Sequence, residues 1–236
     1  MSPVIDRKNV MSTGNPEFDK KLGGGLPLDS LSLVEGEPDS GKSVFSQQVT
    51  WGSLRTGFRV TILTTENTVA SFVRQMESLS LDIRDYLLLG RLKVYPVKAM
   101  KAKDGARESL RALTTALTKQ QDGKIVIIDS LTSFIAHSSV EDVISFFEEC
   151  KSFCEGGLTI ILIAHKHVFL ESTLVRIGSM CDAHLRLSTV TVGDKIAKTL
   201  EVSKIRGAHS TTGNVISFDV EPSFGMRIIP LSKAKA

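Results

Sequence analysis

No stretch of this 236-residue chain stays apolar long enough to cross a bilayer. The longest such run, Ile160 to Ala164 with its neighbours, falls far short of the roughly 20 residues that a spanning helix needs. Met1 to Asn9 are polar and hold no apolar signal core, so any membrane association is expected to run through partners. Cysteine is scarce: Cys150, Cys154 and Cys181 form no C-x-x-C pair and make an odd count. The expectation is buried, reduced thiols in a cytosolic protein, with a metal site or disulfide as the alternative. An excess of one charge is also missing. Twenty-nine Lys and Arg against 26 Asp and Glu leave +3, and no basic cluster is dense enough to imply nucleic acid or anionic lipid. Low-complexity segments, internal repeats and dividing linkers are absent too. What remains, 42% hydrophobic residues in a chain of this length, can bury a sizeable core. One domain over residues 1–236 is expected.

The chemistry is anchored at Gly36-Glu37-Pro38-Asp39-Ser40-Gly41-Lys42-Ser43, followed by Val44. The stretch fits G-x-x-x-x-G-K-[ST], a loop whose successive backbone N–H groups wrap a phosphate. Lys42 can reach the β- and γ-phosphates, and the Ser43 hydroxyl suits Mg²⁺, a hard cation that prefers oxygen. The apolar run Leu31 to Val34 reads as the preceding buried strand, and Val44 to Leu54 as the following helix. ATP with Mg²⁺ is the expected ligand.

Strand and helix patterns alternate along the rest of the chain. Ser12 to Pro16 signal a turn and helix start, and Gly23-Gly24-Gly25 close that short helix. Arg59 to Leu63 reads as a strand, with Val69, Phe72, Val73, Met76 and Leu79 at helical spacing after it. Arg91 to Val97 is a further strand, Lys98 to Asp104 a lysine-bearing loop and Ala106 to Lys119 a helix. Ile125 to Ile128 is a fully apolar strand, Val140 to Phe153 a helix and Thr159 to Ile163 a buried strand. The rhythm then changes: Ala183 to Val192 and Ile196 to Ile205 look like a hairpin turning at Gly193-Asp194, with short strands at Val215 to Val220 and Met226 to Ile229. Ser232 to Ala236 reads as a frayed end. The pattern implies an α/β fold with a mostly parallel central sheet and a C-terminal antiparallel extension.

Four further sites acquire candidate roles. Asp129 closes an apolar strand, where a carboxylate can orient water on Mg²⁺; otherwise it caps the next helix. Glu66 ends another core strand and can orient or deprotonate an attacking water, or be a solvated loop charge. His165 ends the Thr159 strand and can meet the γ-phosphate or serve structure alone. Lys204 and Arg206 in Lys204-Ile205-Arg206-Gly207 share one strand face, so their repulsion calls for an anion such as a triphosphate. The other reading is a charge-guarded strand edge.

Ser12-Thr13-Gly14 through Asp19, Leu22 to Gly25, the phosphate loop, Thr65-Glu66, Asp129-Ser130 and Lys204 to Gly207 together resemble the RecA-superfamily ATPases of the KaiC type. Within that group the chain is most similar to the accessory ATPases of the archaellum, the rotary swimming filament of archaea. The resemblance implies a RecA-like domain that binds ATP with Mg²⁺, forms a hexameric ring with ATP and hydrolyses weakly or not at all. Its implied partners are the archaellum motor ATPase, the membrane platform and cytosolic scaffold proteins, at the inner face of the cell membrane, with no nucleic acid. By the same resemblance Lys42 and Ser43 bind phosphate and magnesium, Asp129 is the Walker B acid and Glu66 the catalytic glutamate. Lys204 and Arg206 match fingers that reach a neighbour's nucleotide in trans.

Two departures argue for slower turnover. The paired glutamates of KaiC-type proteins are reduced to Glu66-Asn67, and Asp39 stands in the loop where many relatives carry glycine. Two other classes stay open. A DNA-dependent RecA motor would want basic loops, towards which only Lys98, Lys101, Lys103 and Arg107 point. A self-phosphorylating KaiC-like kinase would have the Ser130 and Thr132 hydroxyls available.

Overall fold

The computed structural model describes residues 10–99, 103–120, 124–192, 195–208 and 215–229. The Gly193-Asp194 turn, Lys101, the first nine residues and the C-terminal Ser232 to Ala236 lie outside them. A two-stranded antiparallel ribbon, β1 (Val10–Met11) and β2 (Leu26–Pro27), brackets helix α1 (Pro16–Lys21). Asn15 starts that helix by accepting the N–H groups of Glu17 and Phe18 on its side chain, which satisfies two donors that helix geometry would otherwise orphan.

The buried runs become strands β3 (Leu31–Gly36), β4 (Val60–Thr64), β5 (Leu92–Pro96), β6 (Ile125–Asp129) and β7 (Thr159–His165). The later ones are β8 (Ala183–Val192), β9 (Lys195–Ile205), β10 (Val215–Glu221) and β11 (Gly225–Ile228). They make one sheet in the order β11-β10-β9-β8-β3-β7-β6-β4-β5. Six neighbours, β8 through β5, run parallel. From β8 outward the pairing is antiparallel. Strand β8 is therefore the change-over: it lies parallel to β3 on one side and antiparallel to β9 on the other.

Helices α2 (Lys42–Arg55) and α3 (Val69–Ser78) cover one face of the sheet. Helices α5 (Lys103–Thr118) and α7 (Val140–Glu155) cover the other, joined there by α8 (Glu171–Met180). The strands are apolar throughout because both faces are covered. Ile125 and Ile127 pack towards α2, while the intervening Val126 and Ile128 pack towards α7. The period-two alternation of a strand thus feeds two cores at once. All three cysteines are free thiols buried in the sequence's interior, and Cys150, Cys154 and Cys181 belong to the α7 side. Burial pushes their thiols up, to about 12 for Cys154 and Cys181, so they stay protonated. Among the described residues no helix is long and apolar enough to cross a membrane.

Several elements differ from the pattern reading. Helices α4 (Arg84–Leu88) and α6 (Thr132–Ile135) are too short to display a period. Helix α8 went unread because its first residue is preceded by Leu170, which offers no side-chain cap. Helix α5 begins at Lys103, inside the stretch read as a loop.

Candidate functional site

The site lies where β3 gives way to α2. Gly41 takes the left-handed backbone conformation, φ +95°, as the N-cap of α2 and supplies no side-chain cap. Glycine alone adopts that angle without cost, and the first N–H groups of the helix are left pointing outward, the arrangement that binds anions. Asp39 also has positive φ, +57°, an angle that Asp tolerates better than most side chains. Ser40 Oγ donates to the Glu37 carbonyl at 2.8 Å and ties the turn closed. Lys42 Nζ donates to that same carbonyl.

A cavity of about 430 Å³ opens above this turn. Pro38, Asp39 and Gly41 to Val44 form its floor, and Glu66, Asp129 and His165 form its wall. The remaining three loop positions build the floor from behind. Gly36 is the last residue of β3, between His165 and Leu187 in register, while Glu37 and Ser40 make the hydrogen bonds just described. Three strands contribute to the wall because β7, β6 and β4 lie side by side in the sheet and end together. This is the carboxyl edge at which open α/β sheets bind ligands.

Asp129 ends β6, and its Oδ2 accepts from Ser46 Oγ at 2.9 Å. The N-cap of α6 is Leu131, so Asp129 does not cap that helix. Burial, with the Glu66 carboxylate beside it, raises Asp129 to about 6 against the pull of Ser46 and Lys42. Lys42 is lowered by burial, opposed by the carboxylates of Glu66, Asp129, Asp39 and Glu37. Glu66 stands two residues beyond β4 on an exposed turn; its N–H and that of Asn67 both donate to Thr64 Oγ1, at 3.2 and 3.1 Å. The ends of β4 and β6 are laced through Thr65, whose N–H donates to the Asp129 carbonyl at 3.0 Å. Asn67 faces away, accepting on Oδ1 from Ser71 and Gln75 of α3. His165 is held by its N–H to Thr132 Oγ1 at 2.9 Å. Burial and Lys42 lower its imidazole, opposed by Glu66, so the ring is neutral at pH 7.

Lys204 and Arg206 are not in this cavity. Lys204 Nζ donates to the carbonyls of Gly178 and Ser179 at 3.1 Å, and Arg206 donates to Ser179 O at 3.1 Å and Asp182 Oδ1 at 3.3 Å. Both cations therefore cap the carboxyl end of α8, whose last carbonyls lack helical partners. Their register beside His184 and Ala183 puts them at the amino edge of the parallel strands, level with Ser32. That is about 13 Å along β3 from Gly36 at 3.3 Å per residue. Strand β9 ends at Ile205, so Arg206 sits in the following turn and not on a shared strand face, and the groups that meet the two cations in this chain are Asp182 and the last carbonyls of α8.

Sequence reading missed Ser46, Lys198 and Val220. Ser46 is one helical turn beyond Ser43 and could have been found by that spacing. Lys198 and Val220 come from β9 and β10, and line the cavity only because the antiparallel strands overhang the loop. Ser130 and Thr132 are engaged locally: Thr132 N–H donates to Ser130 Oγ at 3.2 Å, and neither residue lines the cavity. Arg107 pairs with Asp142 at 3.2 Å.

The donor set fits Mg²⁺ and a phosphate chain. Among the described residues no cluster of three or more His, Cys, Asp and Glu could hold a metal unaided. Mg²⁺ characteristically takes one or two carboxylates and completes its shell with water and phosphate oxygens. The Ser43 hydroxyl and the Asp129 carboxylate are hard oxygen donors of that kind, and the outward N–H groups at Gly41 suit an anion.

A family model described as "ATPase: KaiC" matches residues 11–233. The archaeal flagellar ATP-binding protein FlaH of Sulfolobus acidocaldarius is 30% identical over 229 residues, covering 96% of this chain and all of that protein. FlaH of Methanocaldococcus jannaschii is also 30% identical, over 90% of this chain and 91% of its own. The crystal structure of the M. jannaschii flagellar accessory protein FlaH superposes with a TM-score of 0.80 at 28% identity, covering 94% of this chain and 98% of that one. A KaiC-like protein of Pyrococcus horikoshii shares the fold, with a TM-score of 0.75 at 20% identity over 94% of this chain and 99% of that one. With the family model spanning nearly all of the described residues and FlaH proteins matched over 91% and 100% of their own length, the chain belongs to the KaiC family of ATPases, alongside the archaeal flagellar ATP-binding proteins.

Proposed function

We propose that this chain, acting as one domain, binds ATP with Mg²⁺ in the cleft above Gly41 and serves the archaellum motor through nucleotide-dependent ring assembly. The observation that carries the reading is the convergence of the phosphate loop, Asp129, Glu66 and His165 on one cavity, in a chain whose relatives are named archaeal flagellar ATP-binding proteins. Mg²⁺, when bound, supplies positive charge to the phosphate oxygens. Ser43 and, through water, Asp129 hold it; the loop N–H groups and Lys42 hold the phosphates. Glu66 is the one carboxylate placed to take a proton from water, since Asn67 is turned into α3. Asp39 adds negative charge at the phosphates. Both features argue for slower turnover and neither removes binding, so hydrolysis is weak.

The amino-edge position of Lys204 and Arg206 supports a role in trans. They are too far from their own loop, so any nucleotide they contact belongs to another copy. ATP would then bridge two subunits, and its occupancy would strengthen the ring by mass action. We place the ring, a hexamer by family resemblance, in the cytoplasm at the inner face of the membrane, against the motor ATPase, platform and scaffold.

Titration calorimetry with ATP and Mg²⁺, together with capture of archaellum motor components from archaeal lysate with and without ATP, tests the reading. Saturable binding and ATP-dependent capture of the motor ATPase are expected. Glu66→Gln should bind ATP normally while any slow hydrolysis falls by roughly a hundredfold, the scale of a lost general base. Absence of ATP binding, or capture that ignores nucleotide, would refute it.

A further inference from the structure

Strand β9 carries a cation of a different kind from Lys204 and Arg206. Lys198 lies opposite Thr189 on one side and Phe218 on the other. Leu187, the β8 partner of Gly36, pairs with Leu200. Lys198 is therefore two residues past the end of β3, about 7 Å beyond it, over the phosphate loop. Directly opposite residues share a face of an antiparallel pair, so Lys198 points the way Phe218 does. Phe218 is fully buried and packs against Gly41: a Cβ built there would meet its ring at 3.1 Å and the Lys198 Cδ at 3.4 Å. The lysine stem thus runs across the first turn of α2 and into the cavity that it lines.

Charge in that cavity is lopsided without it. Asp39, Glu66 and Asp129 line it, and His165 is neutral at pH 7, so Lys42 is the sole other cation among the lining residues. Lys42 is itself surrounded by four carboxylates and donates to Glu37. Lys204 and Arg206 are held at α8 and Asp182, away from this cavity, whereas the Lys198 ammonium has no hydrogen-bond or ion-pair partner among the described residues. An unpaired ammonium at a half-buried position beside outward N–H groups and acidic neighbours is an arrangement that a polyanion completes.

We propose that Lys198 is a second phosphate-binding cation of this site, supplied by the same chain from the antiparallel extension and acting on the phosphate chain across Gly41 from Lys42. This rests on the reading of the cleft as an ATP site. It gives the β9 overhang a role: the strand that leaves the sheet at its amino edge with Lys204 and Arg206 enters it at the carboxyl edge as part of its own nucleotide pocket. One strand then touches both sides of the binding event.

The test is equilibrium titration of the full chain with Mg·ATP, Mg·ADP and Mg·GTP at several salt concentrations. It compares the parent with Lys198→Met, Lys198→Arg and Lys42→Ala, with melting curves to verify folding. Lys198→Met keeps the apolar stem and should weaken ATP and ADP alike by about tenfold, the scale of a lost charged hydrogen bond. It should also flatten the salt dependence and leave the ATP-to-GTP ratio unchanged, and Lys198→Arg should restore most of the affinity. Parent-like affinity in Lys198→Met, where Lys42→Ala loses it, would overturn the proposal and leave the ATP site standing. A changed ATP-to-GTP ratio would also overturn it, since the lysine would then be a base contact. Parent-like affinity in Lys42→Ala would instead remove the ATP-site reading itself.

Discussion

Replacing both Lys204 and Arg206 by alanine separates assembly from nucleotide binding, and the structure sets the size of the side effect. The change removes Arg206's ion pair with Asp182, in which the arginine side chain is 54% exposed. A pair so open to solvent contributes about 0–1 kcal/mol. It also removes two cations from the carboxyl end of α8, each worth about 0.3–1 kcal/mol. Asp182 is not stranded: its carboxylate keeps Lys151 at 2.7 Å and the Leu31 N–H at 3.0 Å. The expected loss is therefore about 0.6–3 kcal/mol, or a melting shift of about 1–12 °C for a domain of this size. ATP affinity of the monomer should be unchanged, because neither side chain lines the cavity. Sedimentation velocity with and without Mg·ATP should then show the parent shifting to larger species and the double variant staying monomeric. Full ATP-dependent assembly of the variant would refute the trans role and leave the pair as the cap of α8. A melting drop far beyond about 12 °C with lost ATP binding would refute the energetic argument, by showing that α8 depends on these cations for its place.

Further outcomes follow from the geometry. Lys42→Ala should lower ATP affinity at least tenfold, about 1.4 kcal/mol, with the melting curve kept, as read by titration calorimetry. Asp129 holds its proton to about pH 6 in the folded chain, above its unfolded value. The neutral acid thus favours the fold at low pH, and that advantage is lost as pH rises through 6. Asp129→Asn should accordingly be more stable than the parent by about 1–3 kcal/mol at pH 8, the two converging near pH 4 in thermal melts. The Mg²⁺-dependent part of ATP affinity should weaken in the parent below pH 6, where the carboxylate protonates, and show no such carboxylate step in the variant. Gly52→Ala should destabilise the fold despite its better helix propensity, because the new methyl would run into the backbone of Ser12, Thr13 and Gly14 packed on α2. Because all three clashes are with backbone, overpacking stands at the upper end of its range, about 3 kcal/mol, and less a propensity gain of about 1 kcal/mol the net loss is about 2 kcal/mol, measured by denaturant unfolding.

The phosphate loop, the buried strands and the ends of β6 and β7 were legible in the chain because their signals are local. A G-x-x-x-x-G-K-S stretch after an apolar run carries its own geometry, in the left-handed angle of Gly41 and the free N–H groups at the start of α2. Ile125 to Ile128 can be apolar at every position only if both sheet faces are covered, so the run itself implies helices on each side. Asp129 was readable as the polar residue where that run stops.

Which side chains meet was decided by strand order, and no sequence interval encodes it. Asp129 and Glu66 converge because β6 pairs with β4 in register, Thr64 against Asp129. Lys204 and Arg206 look from sequence like natural partners of a triphosphate, yet β9 runs antiparallel to β8 and delivers them to the opposite edge from their own loop. Lys198, six residues earlier and without a motif, is delivered to the loop by that same reversal. The buried strands and the expected anion-binding turn could be placed from local signals, because backbone angles and binary pattern act over a few residues. Which cation stands at which edge of the sheet came only from the fold, because strand direction and register convert a position in the chain into a place at one edge or the other.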